Sequence, residues 1–91
     1  MRYTYKQSKN LLHQTIPVAL GTDGVCSNNS ADLFETMKTT ALVQKMLNND
    51  PCLLPARQVL EMATQAGLAS QGRAGEAGML RCGMDADLIL L

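Results

Sequence analysis

The apolar run at residues 16–20, Ile-Pro-Val-Ala-Leu, constrains most strongly what this chain can fold into. A short continuous apolar run that ends at a glycine, here Gly21, is typical of a fully buried strand in a parallel sheet, and Pro17 fits only near the start of such a strand. A buried strand needs neighbours on both sides. The only other predicted strand lies at residues 87–91, so the sequence predicts a missing partner or missing sequence.

A long helix is predicted after the loop that follows this run. Residues 21–30 are rich in Gly, Asn, Asp and Ser, which favour turns. Ser30 or Asp32 can supply the N-cap, and Glu35 follows Asp32 three residues later, as in a capping box. The helix is predicted over residues 31–48. Its apolar residues recur at steps of three and four and form one apolar stripe, which we expect to need a partner to cover it: Leu33, Phe34, Met37, Ala41, Leu42 and Met46.

A second helix is predicted over residues 55–66, with Pro55 in its first turn and Gly67 just after its end. Residues 68–71 could add one more turn before Gly72. Arg57 and Glu61 are four residues apart and are expected to form an exposed ion pair. Four glycines between residues 72 and 83 then predict a turn-rich connection to the final apolar run.

Composition excludes several classes of function. Eight basic and eight acidic residues give a formal net charge of zero, so nothing favours nucleic acid or an anionic membrane as a partner. The three cysteines, Cys26, Cys52 and Cys82, are widely spaced and predict neither a zinc ribbon nor a disulfide framework. No apolar run is long enough to span a bilayer, and the polar N-terminus leads into no signal sequence. We expect a cytoplasmic protein whose 91 residues form at most one small domain with a marginal core.

Three segments carry a more specific signal when taken together. The first is Val-Ala-Leu-Gly-Thr-Asp-Gly at 18–24, followed by Ser-Asn-Asn-Ser-Ala-Asp-Leu-Phe at 27–34. The second is Leu-Pro-Ala-Arg-Gln-Val-Leu-Glu-Met-Ala-Thr at 54–64, and the third is the G-x-L-x-x-G-x-x-A-D-L pattern at 78–88. In this order and at these intervals they resemble the amidohydrolase superfamily, most closely its branch of chlorohydrolases and methylthioadenosine/S-adenosylhomocysteine deaminases.

The resemblance implies an α/β fold by ancestry. Residues 1–77 would be the C-terminal segment of a TIM barrel, with its last strand and helices, and residues 78–91 the incomplete start of a β-sandwich domain. We therefore expect a chain truncated at both ends. By itself it should be dominated by helices, with little sheet.

The resemblance also assigns a site residue. Asp23 occupies the position of the family's aspartate at the end of the last barrel strand, which meets the catalytic metal. A carboxylate there can accept a proton from metal-activated water and pass it to the leaving group. The family's other ligands are histidines on earlier strands, and the single histidine, His13, matches none of them. A zinc, iron or manganese ion is thus implied for the complete enzyme, and we expect none to bind this chain alone. In this chain alone Asp23 would be a solvated loop residue. Asn28 and Asn29 resemble a family loop near the site, and the alternative interpretation, that they only form a turn, is preferred.

Three hypotheses about function remain open. The chain is a fragment of a hydrolase that cleaves C–N or C–Cl bonds on purine- or triazine-like rings, and is inactive alone. Alternatively, it is a small helical module that binds itself or a partner, or it is one half of a split hydrolase. Its expected partner is accordingly a second copy of the chain or the missing part of the barrel.

Overall fold

A computed structural model of the chain describes residues 16–91, in which three helices are present: α1 (Leu33–Asn48), α2 (Ala56–Ala63) and α3 (Gln65–Ser70). Helix α1 packs against α2, and α2 against α3. No β-strand occurs between residues 16 and 91, and the prediction of a helix-dominated chain is confirmed. The polar N-terminus and His13 lie outside the described residues.

The ends of α1 follow from local chemistry. The Asp32 side chain accepts hydrogen bonds from the backbone N–H groups of Phe34 and Glu35, and is therefore the N-cap, one of the two candidates. The capping box is incomplete, because the Asp32 N–H donates instead to the Ser30 hydroxyl at 3.0 Å. At the other end Asn49 adopts a left-handed conformation with φ of 50°, which terminates the helix.

The face of α1 that points inward differs from the predicted apolar stripe. Thr40 and Gln44 are buried, whereas Leu42 and Met46 are 55% and 71% exposed. Asn48 donates through its amide to the Gln44 carbonyl at 2.8 Å, so the inward face is partly polar and hydrogen-bonded. Leu42 and Met46, two members of the predicted apolar stripe, thus lie outside the core formed by residues 16–91.

The second predicted helix is divided in two. Thr64 departs from helical geometry, with φ of −119° and ψ of −89°, and its hydroxyl donates to the Leu60 carbonyl at 2.8 Å. Pro55 lies just before α2 as its N-cap, and its carbonyl accepts from the Val59 N–H at 3.2 Å. Gly67 lies inside α3, so the prediction that it follows the helix end was wrong.

The core is small and gathers around α2. Leu54, Val59 and Met62 are buried. Five partly buried residues pack against them: Val18, Leu20, Met37, Ala41 and Leu53. Residues 16–20 therefore contribute to the core, although the predicted strand is absent. The Leu20 N–H donates a hydrogen bond to the Met62 carbonyl of α2, at 3.0 Å. A strand requires a second extended backbone beside it, and residues 16–91 provide none.

The glycine-rich connection follows the prediction. Its four glycines all have positive φ: Gly72, Gly75, Gly78 and Gly83. At Gly78, with φ of 89°, the chain passes so close to α3 that a Cβ would lie 3.1 Å from the Cα atom of Gln65. This glycine is required both by its conformation and by the close approach.

Two ion pairs of Arg73 stabilise the glycine-rich connection. Arg73 Nε lies 2.6 Å from Glu76 Oε2, and Arg73 Nη2 lies 3.9 Å from Asp85 Oδ2. The hydrogen bond to Glu76, and the negative charges of Glu76 and Asp85, raise the pKa of Arg73 above its ordinary value. The Asp85 N–H also donates to the Glu76 carbonyl at 2.8 Å, so the connection folds back on itself before the chain reaches its end.

The last residues do not form the predicted strand, and Leu88 to Leu91 are all largely exposed. Arg57 and Glu61 form the expected exposed pair, at 3.2 Å. Among the helices described, none has the length and apolar character required to cross a membrane.

Candidate functional site

Asp23 lies in the loop that joins the first apolar segment to α1. The side chain is exposed, and its backbone is left-handed, with φ of 60°. Aspartate tolerates this conformation better than most residues, because its short polar side chain can bond the nearby backbone. Asp23 makes such a bond: its Oδ1 accepts from the Gly24 N–H at 2.7 Å.

The second carboxylate oxygen of Asp23 has a different environment. No hydrogen bond to Oδ2 is formed by the residues from 16 to 91. One oxygen is thus held by the backbone, while the other accepts no hydrogen bond from the described residues. This arrangement leaves Oδ2 available to bind a cation or to accept a proton.

A hydrogen-bonded turn at residues 24–28 directly follows Asp23. The carbonyl of Gly24 accepts from the backbone N–H groups of Ser27 and Asn28, both at 2.9 Å. The side-chain amide of Asn28 donates to the Thr22 carbonyl at 2.8 Å and so closes the loop on itself. The Thr22 hydroxyl donates to the Asp23 carbonyl at 3.2 Å.

The sequence indicated that Asn28 forms a turn, and its backbone does so. The bond from its side chain to Thr22 was missed. The spacing of six residues carries no recognised signal for such a bond, because an asparagine amide can reach many carbonyls in a flexible loop. Asn29, next to it, makes no hydrogen bond with the described part of the chain.

The residues that could hold a metal are few. Residues 16–91 contain no group of three or more histidine, cysteine, aspartate or glutamate side chains close enough to share an ion. The three cysteines are exposed and are not disulfide-bonded. A catalytic metal site takes about three protein ligands. Asp23 therefore fits a metal as one ligand of a set, and the described residues do not complete that set.

Two concave surfaces flank this region. A polar recess of about 270 Å³ lies between the loop and the first half of α1, with Ser30, Glu35 and Thr39 among its lining residues. A larger, mostly apolar groove of about 400 Å³ lies between residues 16–18, α2, α3 and the glycine-rich connection. Neither contains Asp23.

Comparison with known proteins agrees with the motifs. A family model described as the amidohydrolase family matches residues 5–91. The 5′-deoxyadenosine deaminase of Methanosarcina mazei is 52% identical over 81 residues, which are 89% of this chain and 18% of that protein. The 5-methylthioadenosine/S-adenosylhomocysteine deaminase 1 of Syntrophus aciditrophicus is 47% identical over 81 residues, which are again 89% of this chain and 18% of that protein.

A solved structure is also similar. The crystal structure of an adenosine deaminase from Xanthomonas campestris with bound zinc superposes with a TM-score of 0.80 and 35% identity. The match covers 85% of this chain and 18% of that one. The chain thus spans less than a fifth of the length of these relatives.

Proposed function

The chain belongs to the amidohydrolase family, and we propose that it is the segment of a deaminase that carries the catalytic aspartate, Asp23. The single observation that carries the proposal is the geometry of this exposed residue, in which the backbone holds Oδ1 and no hydrogen bond from residues 16–91 reaches Oδ2. The relatives named above act on adenosine-type nucleosides, which favours C–N hydrolysis on a purine over the C–Cl and triazine alternatives.

The proposed architecture is that of a barrel segment. Residues 1–77 would supply the last strand and following helices of a TIM barrel, and residues 78–91 would begin a β-sandwich. In support, the chain keeps the conformation of its structural neighbour while spanning 18% of that protein. In this arrangement residues 16–20 and 87–91 would gain the adjacent strands that they lack here.

In the proposed mechanism, a bound divalent metal supplies Lewis-acid activation of water. Zinc is favoured because the Xanthomonas campestris relative contains it. Asp23 would hold the metal and accept the proton of the attacking water at Oδ2. It would then deliver that proton to the amino group that leaves the purine ring, because a positioned carboxylate can serve as base and then as acid. The Gly24 N–H keeps the carboxylate in place through Oδ1.

We propose that the chain is inactive alone. Asp23 is one ligand where about three are needed, and the remaining ligands would come from the rest of a barrel. A cytoplasmic location belongs to the same proposal, and the three cysteines, which form no disulfide, are compatible with it.

A chimera tests the proposal directly. The 81 matching residues of the Methanosarcina mazei relative would be replaced by those of this chain. Zinc content and deamination of 5′-deoxyadenosine would then be measured. We expect turnover from the chimera and none from the purified 91-residue chain supplied with zinc. In the chimera, Asp23→Asn should lower kcat by about 10²–10⁴-fold, because the amide keeps the bond to Gly24 but cannot accept a proton.

Asp50→Asn is the matched control for this substitution. Asp50 accepts from the Cys52 N–H through Oδ1 at 2.9 Å, and an asparagine can preserve that bond. The control should retain activity. Turnover by the isolated chain, or an Asp23→Asn chimera as active as the control, would refute the proposal.

A second candidate function is association through apolar surface. Leu88 to Leu91 extend into solvent, and Leu90 and Leu91 are 102% and 91% exposed. Apolar patches of this kind mark sites of protein contact. We propose that they are covered by a second copy of the chain or by a polypeptide that supplies the rest of a barrel. Light scattering on a size-exclusion column distinguishes these, since a strictly monomeric chain would contradict self-association.

A further inference from the structure

We propose that Asn28 is a positioning residue, which sets the direction of the Asp23 carboxylate by holding the Thr22 carbonyl. The inference rests on the proposed function of Asp23 and extends it to a residue that does not itself touch the reacting atoms. Its basis is the 2.8 Å bond from Asn28 Nδ2 to the oxygen of Thr22.

The bond acts through the geometry of the peptide unit. The carbonyl of Thr22 and the N–H of Asp23 belong to one planar group. Fixing the carbonyl therefore fixes the plane from which φ of Asp23 is measured. That angle is 60°, in the left-handed region, which is unfavourable for a residue with a Cβ unless neighbouring contacts stabilise it. Asn28 supplies such a contact.

The peptide unit on the other side of Asp23 is held as well. The carbonyl of Asp23 accepts from the Thr22 hydroxyl at 3.2 Å, and the Gly24 N–H donates to Asp23 Oδ1 at 2.7 Å. Because both flanking peptide planes are held, the backbone of Asp23 keeps one conformation. The carboxylate therefore points in one direction from the backbone. Of these three bonds, the one from Asn28 alone involves a residue that is not adjacent to Asp23 in the sequence.

The position of Asn28 is itself fixed by the turn. Its backbone N–H donates to the Gly24 carbonyl at 2.9 Å, as does that of Ser27. The amide that binds Thr22 is therefore carried by a residue whose main chain is already anchored. Removing the side chain would leave the turn in place and release the Thr22 plane.

An alternative role for Asn28 is to favour the turn, without any effect of its bond to Thr22. Asparagine and aspartate both do so and both tolerate unusual dihedral angles. An ionised aspartate has no N–H to donate, however, and cannot hold the Thr22 carbonyl. Asn28→Asp therefore separates the two roles, because it keeps the turn propensity and loses the bond. Asn28→Ala removes both.

The first experiment uses the chain itself and measures the backbone NMR couplings that report φ at Asp23. In Asn28→Ala and in Asn28→Asp the couplings should move towards values for negative φ, while the amide signals of α1 stay in place. Asn29→Ala is the matched control and should change nothing at Asp23. Unchanged couplings in both Asn28 variants would overturn the proposal. A change in Asn28→Ala alone would show that turn propensity is the whole effect, and would overturn it too.

The second experiment uses the chimera with the Methanosarcina mazei relative. Each Asn28 variant should lower kcat about tenfold, since one lost hydrogen bond and a displaced carboxylate have effects of about this size or larger. KM and zinc content should be retained, as should the full activity of Asn29→Ala. Shifted couplings with unchanged kcat would overturn the positioning role. An inactive unmutated chimera would instead refute the proposed function, and the couplings would still decide the role of Asn28.

Discussion

Replacing Gly78 with alanine should separate two effects that the structure combines at this position. Gly78 has φ of 89°, and a Cβ there would lie 3.1 Å from Gln65 Cα, 3.2 Å from Gln65 N and 3.2 Å from a methyl group of Leu68. Gly75 has nearly the same φ, 83°, but a Cβ there would have nothing within 4 Å. The pair is therefore a matched comparison between conformational strain and steric overlap.

The magnitudes follow from these distances. Gly75→Ala should lower the free energy of unfolding by about 1 kcal/mol, the cost of placing a residue with a Cβ in the left-handed region. Gly78→Ala bears the same cost, and in addition about 2 kcal/mol for overlap with a helix backbone that cannot move without repacking. The two variants should then differ by about 2 kcal/mol, which in a chain of this size corresponds to a difference of about 8–16 °C in Tm.

Urea unfolding followed by far-ultraviolet circular dichroism measures the difference, because the signal reports α1, α2 and α3 together. Thermal unfolding gives an independent value. Equal losses of stability in the two variants would refute the reasoning, since the approach of the glycine-rich connection to α3 would then carry no steric constraint. A greater loss in Gly75→Ala would refute it as well.

Two further predictions concern the core and the first helix. Leu54→Ala should lower the free energy of unfolding by about 2–5 kcal/mol, because Leu54 is 2% exposed at the centre of the core. Leu80→Ala is the control: Leu80 is 86% exposed, and its loss should change the free energy of unfolding by about 0.5 kcal/mol or less. Equal losses of stability for the two variants in urea titrations would contradict the assignment of the core. Asp32→Ala should cost about 1 kcal/mol, since two N–H groups lose their acceptor. Asp87→Ala is its control, and dichroism that shows no loss of helix stability for Asp32→Ala would contradict the cap.

The comparison of sequence and structure is clearest in α1. Its start at Asp32 and its end near Asn49 were predictable, because capping depends on residues within one turn of the helix end. The side that faces the core was not. Thr40 and Gln44 are buried in place of Leu42 and Met46, since burial depends on which surfaces are available to pack, and these come from distant parts of the chain.

The candidate site divides in the same way. The three motifs together were sufficient to place the chain in its family, and the resemblance selected this carboxylate from the eight acidic residues. The role of Asp23 in a metal site stays a prediction. That its Oδ1 is held by Gly24, and that Asn28 binds the Thr22 carbonyl, required coordinates, because each bond depends on the path of the loop in three dimensions.

The sequence by itself thus determined the family, the approximate limits of α1 and the turn-rich character of the connection between residues 72 and 83. These are local properties, set by a residue and its near neighbours. The tertiary structure alone decided the bond from Leu20 to Met62 and the inward face of α1. Each of these arises from contacts between segments far apart in the chain, whose free energy no local pattern encodes.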